Sequence, residues 1–143
     1  MDDINDLIEI SFYDAKPALT HKDATEMQDK IIQDYQNGDS IHWAIADKTT
    51  NKIVGTVGYY RGFENRTGEL GCVLKTEFRG LGYMSKAMKL AIEFGFNEIR
   101  LTKIRAITSK DNKNALKLLD RLHFIKSAEL ADDEIELEIS GNL

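Results

Sequence analysis

The sequence contains one cysteine, Cys72, and one proline, Pro17. A single cysteine excludes an internal disulfide framework and a zinc site built from cysteines, and it is typical of a reducing compartment. The three histidines, His21, His42 and His123, have no ligand-like spacing, so we expect no metal site. No apolar run approaches the roughly 20 residues that a membrane-spanning helix needs.

Positive charge is also scarce. The sequence has 19 lysines and arginines and 24 acidic residues, which gives a net charge of -5. A protein that binds nucleic acid or an anionic membrane usually has the opposite balance. Residues 1–6 are acidic, whereas a secretory signal begins with positive charge and an apolar stretch. We therefore expect a cytosolic protein that binds neither nucleic acid nor membranes. A length of 143 residues predicts a single domain over residues 1–143.

The hydrophobic pattern changes period along the chain. Apolar residues at helical spacing predict a short helix near residues 4–8 and a second helix that Thr20 caps and Gly38 ends. Strands are predicted at residues 41–46, 53–60, 69–74, 104–109, 124–128 and 134–139, with helices after residue 82 and over 112–122. This order predicts an α/β fold with a mixed sheet.

The last predicted strand alternates strictly between carboxylates and apolar residues. Its acidic positions are Glu134, Glu136 and Glu138, which the period of two places on one face of the strand. We interpret them as a solvated strand face. The alternative is that they attract a cationic substrate electrostatically.

The most informative segment is a strand that runs into a loop with two glycines, Gly80 and Gly82, where a helix begins. A helix N-terminus presents unpaired N–H groups and the positive end of the helix dipole, so it favours an anion. The two glycines allow the backbone to turn and to approach that anion closely. The segment therefore predicts a phosphate or pyrophosphate site.

Two common phosphate-binding loops fit this segment poorly. The loop of nucleoside triphosphatases needs a glycine followed by lysine and serine or threonine, and the sequence has no such string. The dinucleotide fingerprint needs a third glycine at position 85, which is Ser85. In addition, the strands before the loop read as a hairpin rather than as the start of a parallel unit.

The segment instead resembles motif A of the GNAT superfamily of acetyl-CoA-dependent N-acetyltransferases, Arg/Gln-x-x-Gly-x-Gly/Ala. It matches as Arg79-Gly80-Leu81-Gly82-Tyr83-Met84, with Met84 departing from the usual small residue. A second block, from Asn112 to Phe124, resembles the ribosomal-protein N-terminal (RimJ/RimL-type) branch, although Ala115 replaces its serine and His123 its glycine. Residues 43–45 and 53–56 resemble the central hairpin of that branch.

The resemblance implies a GNAT-like acyl-CoA N-acyltransferase fold, with a mostly antiparallel sheet flanked by helices and without the first strand of the family. It also implies acetyl-CoA as co-substrate, bound through the pantetheine arm by backbone groups of one strand and through the pyrophosphate by the glycine loop. The residues that it assigns to this binding are Cys72, Leu74, Arg79, Gly80, Leu81, Gly82, Tyr83, Met84, Ser85 and Asn112.

The resemblance also suggests the catalytic groups. Glu69, at the start of the strand beside the cofactor, is the candidate base that takes a proton from the acceptor amine. Family members often place a proton donor for the leaving thiolate where this chain has Ala115 and Leu119, and neither side chain can donate a proton. Tyr83, Ser85 or water could substitute.

Three hypotheses follow for the function. The first is transfer of an acetyl group from acetyl-CoA to a primary amine, either a protein or peptide N-terminus or a small molecule. The second is a non-catalytic domain that binds or senses acyl-CoA, which the residues Ala115 and Leu119 favour. The third is a subunit whose open sheet edge pairs with a partner chain, and a homodimer is among the assemblies that such an edge allows.

Overall fold

The computed structural model describes residues 12–13, 16–17 and 19–141. Two expectations concern residues outside this part of the chain and stay predictions: the helix near residues 4–8 and the lack of a first sheet strand. No helix among the described residues has the length and apolar character that a membrane crossing requires.

The described residues form eight strands and three α-helices. The strands are β1 (Phe12–Tyr13), β2 (Lys16–Pro17), β3 (Ile41–Ala46), β4 (Ile53–Tyr60), β5 (Thr67–Leu74), β6 (Lys103–Ser109), β7 (Ile125–Glu129) and β8 (Glu134–Ser140). The helices are α1 (His21–Gln36), α2 (Tyr83–Asn97) and α3 (Lys113–Arg121). The predicted α/β class is confirmed, and every element predicted from residue 20 onward is present. Each end that was predicted lies within two residues of the observed one; no end was predicted for the helix that begins after residue 82.

The main sheet has six strands in the order β3-β4-β5-β6-β8-β7, while β1 and β2 pair with each other in a separate two-stranded sheet. In the six-stranded sheet, neighbouring strands are antiparallel except for β5 and β6, which run parallel. A parallel pair needs a crossover connection, and α2 supplies it between β5 and β6. The sheet is therefore mixed, as predicted, and mostly antiparallel.

Helix α2 covers the face of the sheet that carries most of the apolar core. Its buried residues Met88 and Ala91 belong to one apolar cluster with Tyr59 of β4 and Leu70 of β5. Tyr59 is fully buried, and its hydroxyl donates a hydrogen bond of 2.6 Å to the carbonyl oxygen of Ala91. This bond satisfies a polar group that burial would otherwise penalise, so it fixes α2 against the centre of the sheet.

The ends of α1 are set by local signals. The side chain of Thr20 accepts a hydrogen bond of 3.1 Å from the backbone N–H of Asp23 and so caps the first turn. At the other end, Gly38 adopts a left-handed conformation with φ of 79°. Its N–H donates to the carbonyl oxygen of Tyr35 at 3.0 Å, which is the behaviour of a glycine that ends a helix.

Candidate active site

Strands β5 and β6 separate halfway along their length. Their parallel pairing covers three positions, and its last pair is Glu69 with Arg105. Both strands continue beyond that pair, β5 to Leu74 and β6 to Ser109, without further pairing between them. The edge of β5 that faces β6 therefore presents backbone N–H and C=O groups with no strand partner, and such groups favour a ligand that can hydrogen-bond to them.

The gap between the two strands is part of a cleft of about 900 Å³. Its walls are residues 70–74 of β5, residues 106–108 of β6, the glycine turn with the first residues of α2, and one side of α3. The cleft is long enough to connect the strand gap to the N-terminus of α2.

The glycine turn has the backbone that its sequence predicts. Gly80 and Gly82 have φ of 76° and 89°, in the left-handed region that glycine adopts without steric cost. No atom lies within 4 Å of the place where a Cβ would stand on either glycine, so the turn borders open space. The first intrahelical hydrogen bond of α2 is donated by the N–H of Lys86 to the carbonyl oxygen of Gly82. The backbone N–H groups of residues 83–85 have no backbone partner among the described residues, so they are available to an anion.

Two side chains anchor this turn. The Nε of Arg79 donates to the carbonyl oxygen of Leu74, the last residue of β5, at 3.4 Å. The hydroxyl of Tyr83 donates to the carboxylate of Asp47 in the β3–β4 turn. The turn is thus held to the sheet on both sides.

The structure brings eight of the ten residues assigned to cofactor binding to the lining of the cleft. They are Cys72, Leu74, Arg79, Gly80, Gly82, Met84, Ser85 and Asn112. Leu81 and Tyr83 do not line it: Leu81 is 65% exposed, and Tyr83 is directed to Asp47. Cys72 is an unreactive part of the wall, because burial raises the pKa of its thiol to about 12.

Helix α3 closes the cleft on the β6 side. Asn112 is its N-cap, and its carboxamide oxygen accepts a hydrogen bond of 3.1 Å from the N–H of Ala115. Ala115 and Leu119, which stand where the resemblance implies a proton donor, both line the cleft. Thr108 of β6 also lines it, and sequence reasoning missed this hydroxyl because only the separation of β5 and β6 exposes it.

Glu69 does not line this cleft. It lies in a second, smaller groove of about 310 Å³, on the other face of the sheet, since successive residues of a strand point to opposite faces and Leu70 faces the core. The groove is lined by Tyr60, Arg61, Gly62, Glu64, Asn65, Thr67, Glu69, Lys103, Arg105, Glu136 and Glu138. Because Glu69 and Leu70 are adjacent in β5, the groove and the cleft lie on opposite faces of the sheet at the point where β5 and β6 begin to separate.

Glu69 is buried, with 8% of its surface exposed. Burial raises the pKa of its carboxyl, while the guanidinium groups of Arg61 and Arg105 act in the opposite direction. Its Oε1 atom is buried and accepts no hydrogen bond from any described residue. A buried carboxylate with a raised pKa and an open acceptor atom has the properties of a general base.

The glutamate row of β8 differs from the solvated face that we predicted. Glu134 is exposed, but the Glu136 side chain is only 18% exposed and pairs with Arg105 at 3.4 Å. Glu138 forms an ion pair with Lys103, also at 3.4 Å. The prediction was wrong for Glu136, because Arg105 of β6 and Ser127 of β7, on the two strands beside β8, both contact its carboxylate.

Among the residues that the structure describes, no group of three or more His, Cys, Asp or Glu side chains is placed to hold a metal ion.

Comparison with known proteins agrees with this architecture. The chain is 32% identical over 116 residues to the uncharacterized N-acetyltransferase p20 of Bacillus licheniformis, covering 78% of this chain and 65% of that protein. It spans between 55% and 65% of the length of the first curated relatives that it matches.

Two solved structures show the same fold. The spermidine/spermine N-acetyltransferase SpeG of Vibrio cholerae has a TM-score of 0.78 at 18% identity, over 97% of this chain and 89% of that one. A candidate ribosomal-protein-serine acetyltransferase of Vibrio cholerae has a TM-score of 0.75 at 16% identity, over 86% of this chain and 76% of that one.

The family model described as the acetyltransferase (GNAT) domain matches residues 3–125. This match covers most of the chain, including β5, the glycine turn and α3. The protein belongs to the GNAT acetyltransferase family.

Proposed function

We propose that this domain transfers an acetyl group from acetyl-CoA to a primary amine by direct attack of the amine on the thioester. The observation that carries the proposal is the separation of β5 and β6, which joins an unpaired strand edge to the glycine turn in one cleft. The family to which the chain belongs supports the same chemistry.

The residues of the cleft fit acetyl-CoA. The unpaired edge of residues 70–74 can hydrogen-bond the amide groups of the pantetheine arm as a neighbouring strand would. The free N–H groups at the start of α2, with Gly80 and Gly82 beside them, suit the pyrophosphate. Arg79 and Asn112 add polar side chains to the same lining. When bound there, acetyl-CoA supplies the thioester carbonyl that the amine attacks.

Glu69 is the proposed base. Most amines are protonated at neutral pH, so a proton must leave the nitrogen before it attacks. The Oε1 atom of Glu69 has no hydrogen-bond partner among the described residues, so it is free to accept that proton directly or through water. The acceptor would lie in the groove, and its nitrogen would reach the thioester through the gap that opens between β5 and β6 after Glu69.

The charge and the volume of the groove favour a small cationic acceptor. It contains three basic side chains against four carboxylates, namely Arg61, Lys103 and Arg105 against Glu64, Glu69, Glu136 and Glu138. Its volume of about 310 Å³ suits a small amine or the first residue of a peptide. The similar structures act, by their names, on spermidine and spermine or on a ribosomal protein, so the proposed acceptors are a polyamine or a protein N-terminus of the RimJ/RimL type.

In the reaction the amine nitrogen forms a bond to the acetyl carbon, the carbon–sulfur bond breaks, and the departing thiolate takes up a proton. Tyr83 was one possible donor of this proton, but its hydroxyl already donates its hydrogen to the carboxylate of Asp47. The hydroxyl groups of Ser85 and Thr108 line the cleft, so we assign the proton to one of them or to water.

A second candidate function rests on Ala115 and Leu119. Both line the cleft, and neither carries a group that can protonate a thiolate. A domain that binds acyl-CoA without transferring the acetyl group would have the same cleft, and the experiment below separates the two functions.

The test is the release of free thiol from acetyl-CoA in the presence of spermidine, spermine, a peptide with a free N-terminus, and the same peptide with its N-terminus acetylated. We expect release with at least one free amine and none with the blocked peptide. Glu69→Gln should lower kcat about a hundredfold and leave coenzyme A affinity unchanged. Glu93→Gln, an exposed position on α2, is the matched control and should retain the rate.

Thermal unfolding with coenzyme A completes this experiment, because a ligand that binds only the folded state raises the melting temperature. A shift without thiol release from any amine would support the non-catalytic acyl-CoA-binding domain. The absence of a shift at saturating coenzyme A would reject both functions and favour a subunit in which the fold is structural.

A further inference from the structure

Two guanidinium groups face the carboxylate of Glu69, one at each oxygen. The Nε of Arg61 lies 3.4 Å from Oε2, and Nη2 of Arg105 lies 3.5 Å from Oε1. Oε1 is buried and accepts no hydrogen bond from the described residues. The arginine near Oε1 therefore supplies positive charge without occupying a lone pair of that oxygen.

The backbone around Arg61 holds this side chain in place. Arg61 follows β4 in a left-handed conformation with φ of 61°, and Gly62 follows with φ of 81°. The N–H of Gly62 donates to the carbonyl oxygen of Asp39 at 2.7 Å, which fixes this turn. A left-handed conformation is unfavourable for arginine, and such conformations often occur at functional sites.

Arg105 is the register partner of Glu69 at the last paired position before β5 and β6 separate. Its other nitrogen, Nη1, donates to Oε2 of Glu136 at 3.4 Å. Arg105 thus bridges carboxylates on the two strands that flank β6, and this bridge fixes the direction in which it meets Glu69.

The other charged groups near Glu69 have the opposite effect. Burial raises the pKa of Glu69 most, and the carboxylates of Glu136 and Glu134 on β8 raise it further. Tyr60, the register partner of Glu69 on β4, is neutral, because burial raises the pKa of its hydroxyl to about 12. The two arginines are the nearby groups that favour the carboxylate form.

We propose that Arg61 and Arg105 are positioning residues that keep Glu69 ionised, with the lone pairs of Oε1 free, at the point where β5 and β6 separate. This proposal rests on the proposed role of Glu69 as the base. Without the arginines the buried carboxyl would keep its proton to higher pH and could not accept one from an amine. Neither arginine needs to contact acetyl-CoA or the acceptor.

The experiment follows the side-chain carboxyl ¹³C resonance of Glu69 through a pH titration of the full chain without acetyl-CoA. The resonance is assigned by its loss in Glu69→Gln. In Arg61→Gln and in Arg105→Gln we expect the midpoint to move to higher pH. Lys103→Gln is the matched control: Lys103 lies on β6, two residues from Arg105, and pairs with Glu138 rather than Glu69, so the midpoint should stay in place.

Arg105→Lys tests whether a positive charge at this position is sufficient to keep Glu69 ionised. It also provides a variant of Arg105 that can be measured if Arg105→Gln does not fold. It retains the positive charge, and we expect a midpoint closer to that of the unaltered protein. The pH profile of kcat/KM gives the matching functional readout. Each Arg→Gln variant should lose about tenfold at the acidic end of the profile and recover at the alkaline plateau.

The proposal is overturned if the midpoint is the same in both arginine variants as in the unaltered protein, or if Lys103→Gln moves it equally. It is also overturned if the variants lose rate uniformly across the pH range, as a purely structural defect would cause. The titration needs no acceptor, so it is independent of the proposed function. If the midpoint moves as expected while Glu69→Gln keeps full turnover, the role of Glu69 as base fails and the electrostatic effect of the arginines stands.

Discussion

The hydroxyl of Tyr83 donates a hydrogen bond to the carboxylate of Asp47, and this bond connects the first residue of α2 to the β3–β4 turn. Asp47 also accepts from the N–H groups of Thr49 and Thr50, at 2.8 and 2.9 Å. The bond lowers the pKa of Asp47 and raises the pKa of Tyr83. One carboxylate therefore orders the β3–β4 turn and holds the start of the helix that we propose to bind the pyrophosphate.

Tyr83→Phe should weaken the binding of coenzyme A about threefold with little change in kcat. The change removes the hydroxyl but keeps the ring, which packs edge-on against Phe78 with ring centroids 6.0 Å apart. Isothermal titration calorimetry with coenzyme A measures the effect. Tyr35→Phe, on the exposed surface of α1, is the control. Equal affinities for both variants would show that the bond does not position the turn.

Gly80→Ala and Gly82→Ala should each lower coenzyme A affinity at least about tenfold and lower the free energy of unfolding by about 1–2 kcal/mol, because a side chain in the left-handed region is strained. Gly38→Ala is a matched control, since its φ of 79° is similar, no atom lies within 4 Å of its Cβ position, and it ends α1. This variant should lose similar stability and keep its affinity. An equal loss of affinity in Gly38→Ala would mean that stability alone explains the result.

The rate should depend on pH through Glu69. The pKa of this carboxyl is raised, so Glu69 is the ionised base only above that value, and kcat/KM should fall as the pH decreases through it. Because the pKa is raised, this acidic limb should lie at higher pH than for an ordinary glutamate. The pH profile of thiol release, measured with acetyl-CoA near KM, shows the limb. The same limb in Glu69→Gln would assign it to another group.

His42 should make the folded protein sensitive to acid. Burial lowers its pKa to about 4, against the opposing effect of Asp34, and its ring lies edge-on to Tyr60 with centroids 4.3 Å apart. The stabilising contribution of the neutral ring is complete above pH 6.5, the unfolded value, and is lost as the pH falls towards 4. We expect about 2–3 kcal/mol to be lost over this range.

Urea unfolding at several pH values measures this dependence. His42→Phe should flatten the decline between pH 6.5 and 4, since phenylalanine has no proton to bind. His123→Asn is the control, because His123 is exposed and its φ of 71° suits asparagine, and it should keep the decline of the unaltered protein. An unchanged slope in His42→Phe would contradict the burial of a neutral histidine.

The elements that depend on local signals could be predicted from the sequence. The cap at Thr20 and the glycine at position 38 fixed the ends of α1, and β3 and β4 have the predicted boundaries. The glycine turn was also predictable, because two glycines between a strand and a helix need no tertiary information.

The parts that depend on pairing between distant segments could not be predicted. The separation of β5 and β6 depends on a parallel register that joins residues 67–69 to residues 103–105, and the same register places Arg105 opposite Glu69. The resemblance predicts Glu69 beside the cofactor but does not show which face of the sheet it occupies. The alternation of β5 was a usable signal, since it puts Glu69 and the core residue Leu70 on opposite faces.

We propose that the separation of β5 and β6 creates the binding site for acetyl-CoA. The most direct measurement is a titration with coenzyme A followed by backbone amide NMR. We expect the largest shifts for residues 70–74 of β5 and residues 80–85 of the glycine turn. Unchanged resonances at saturating coenzyme A, or shifts confined to residues outside the cleft, would contradict it.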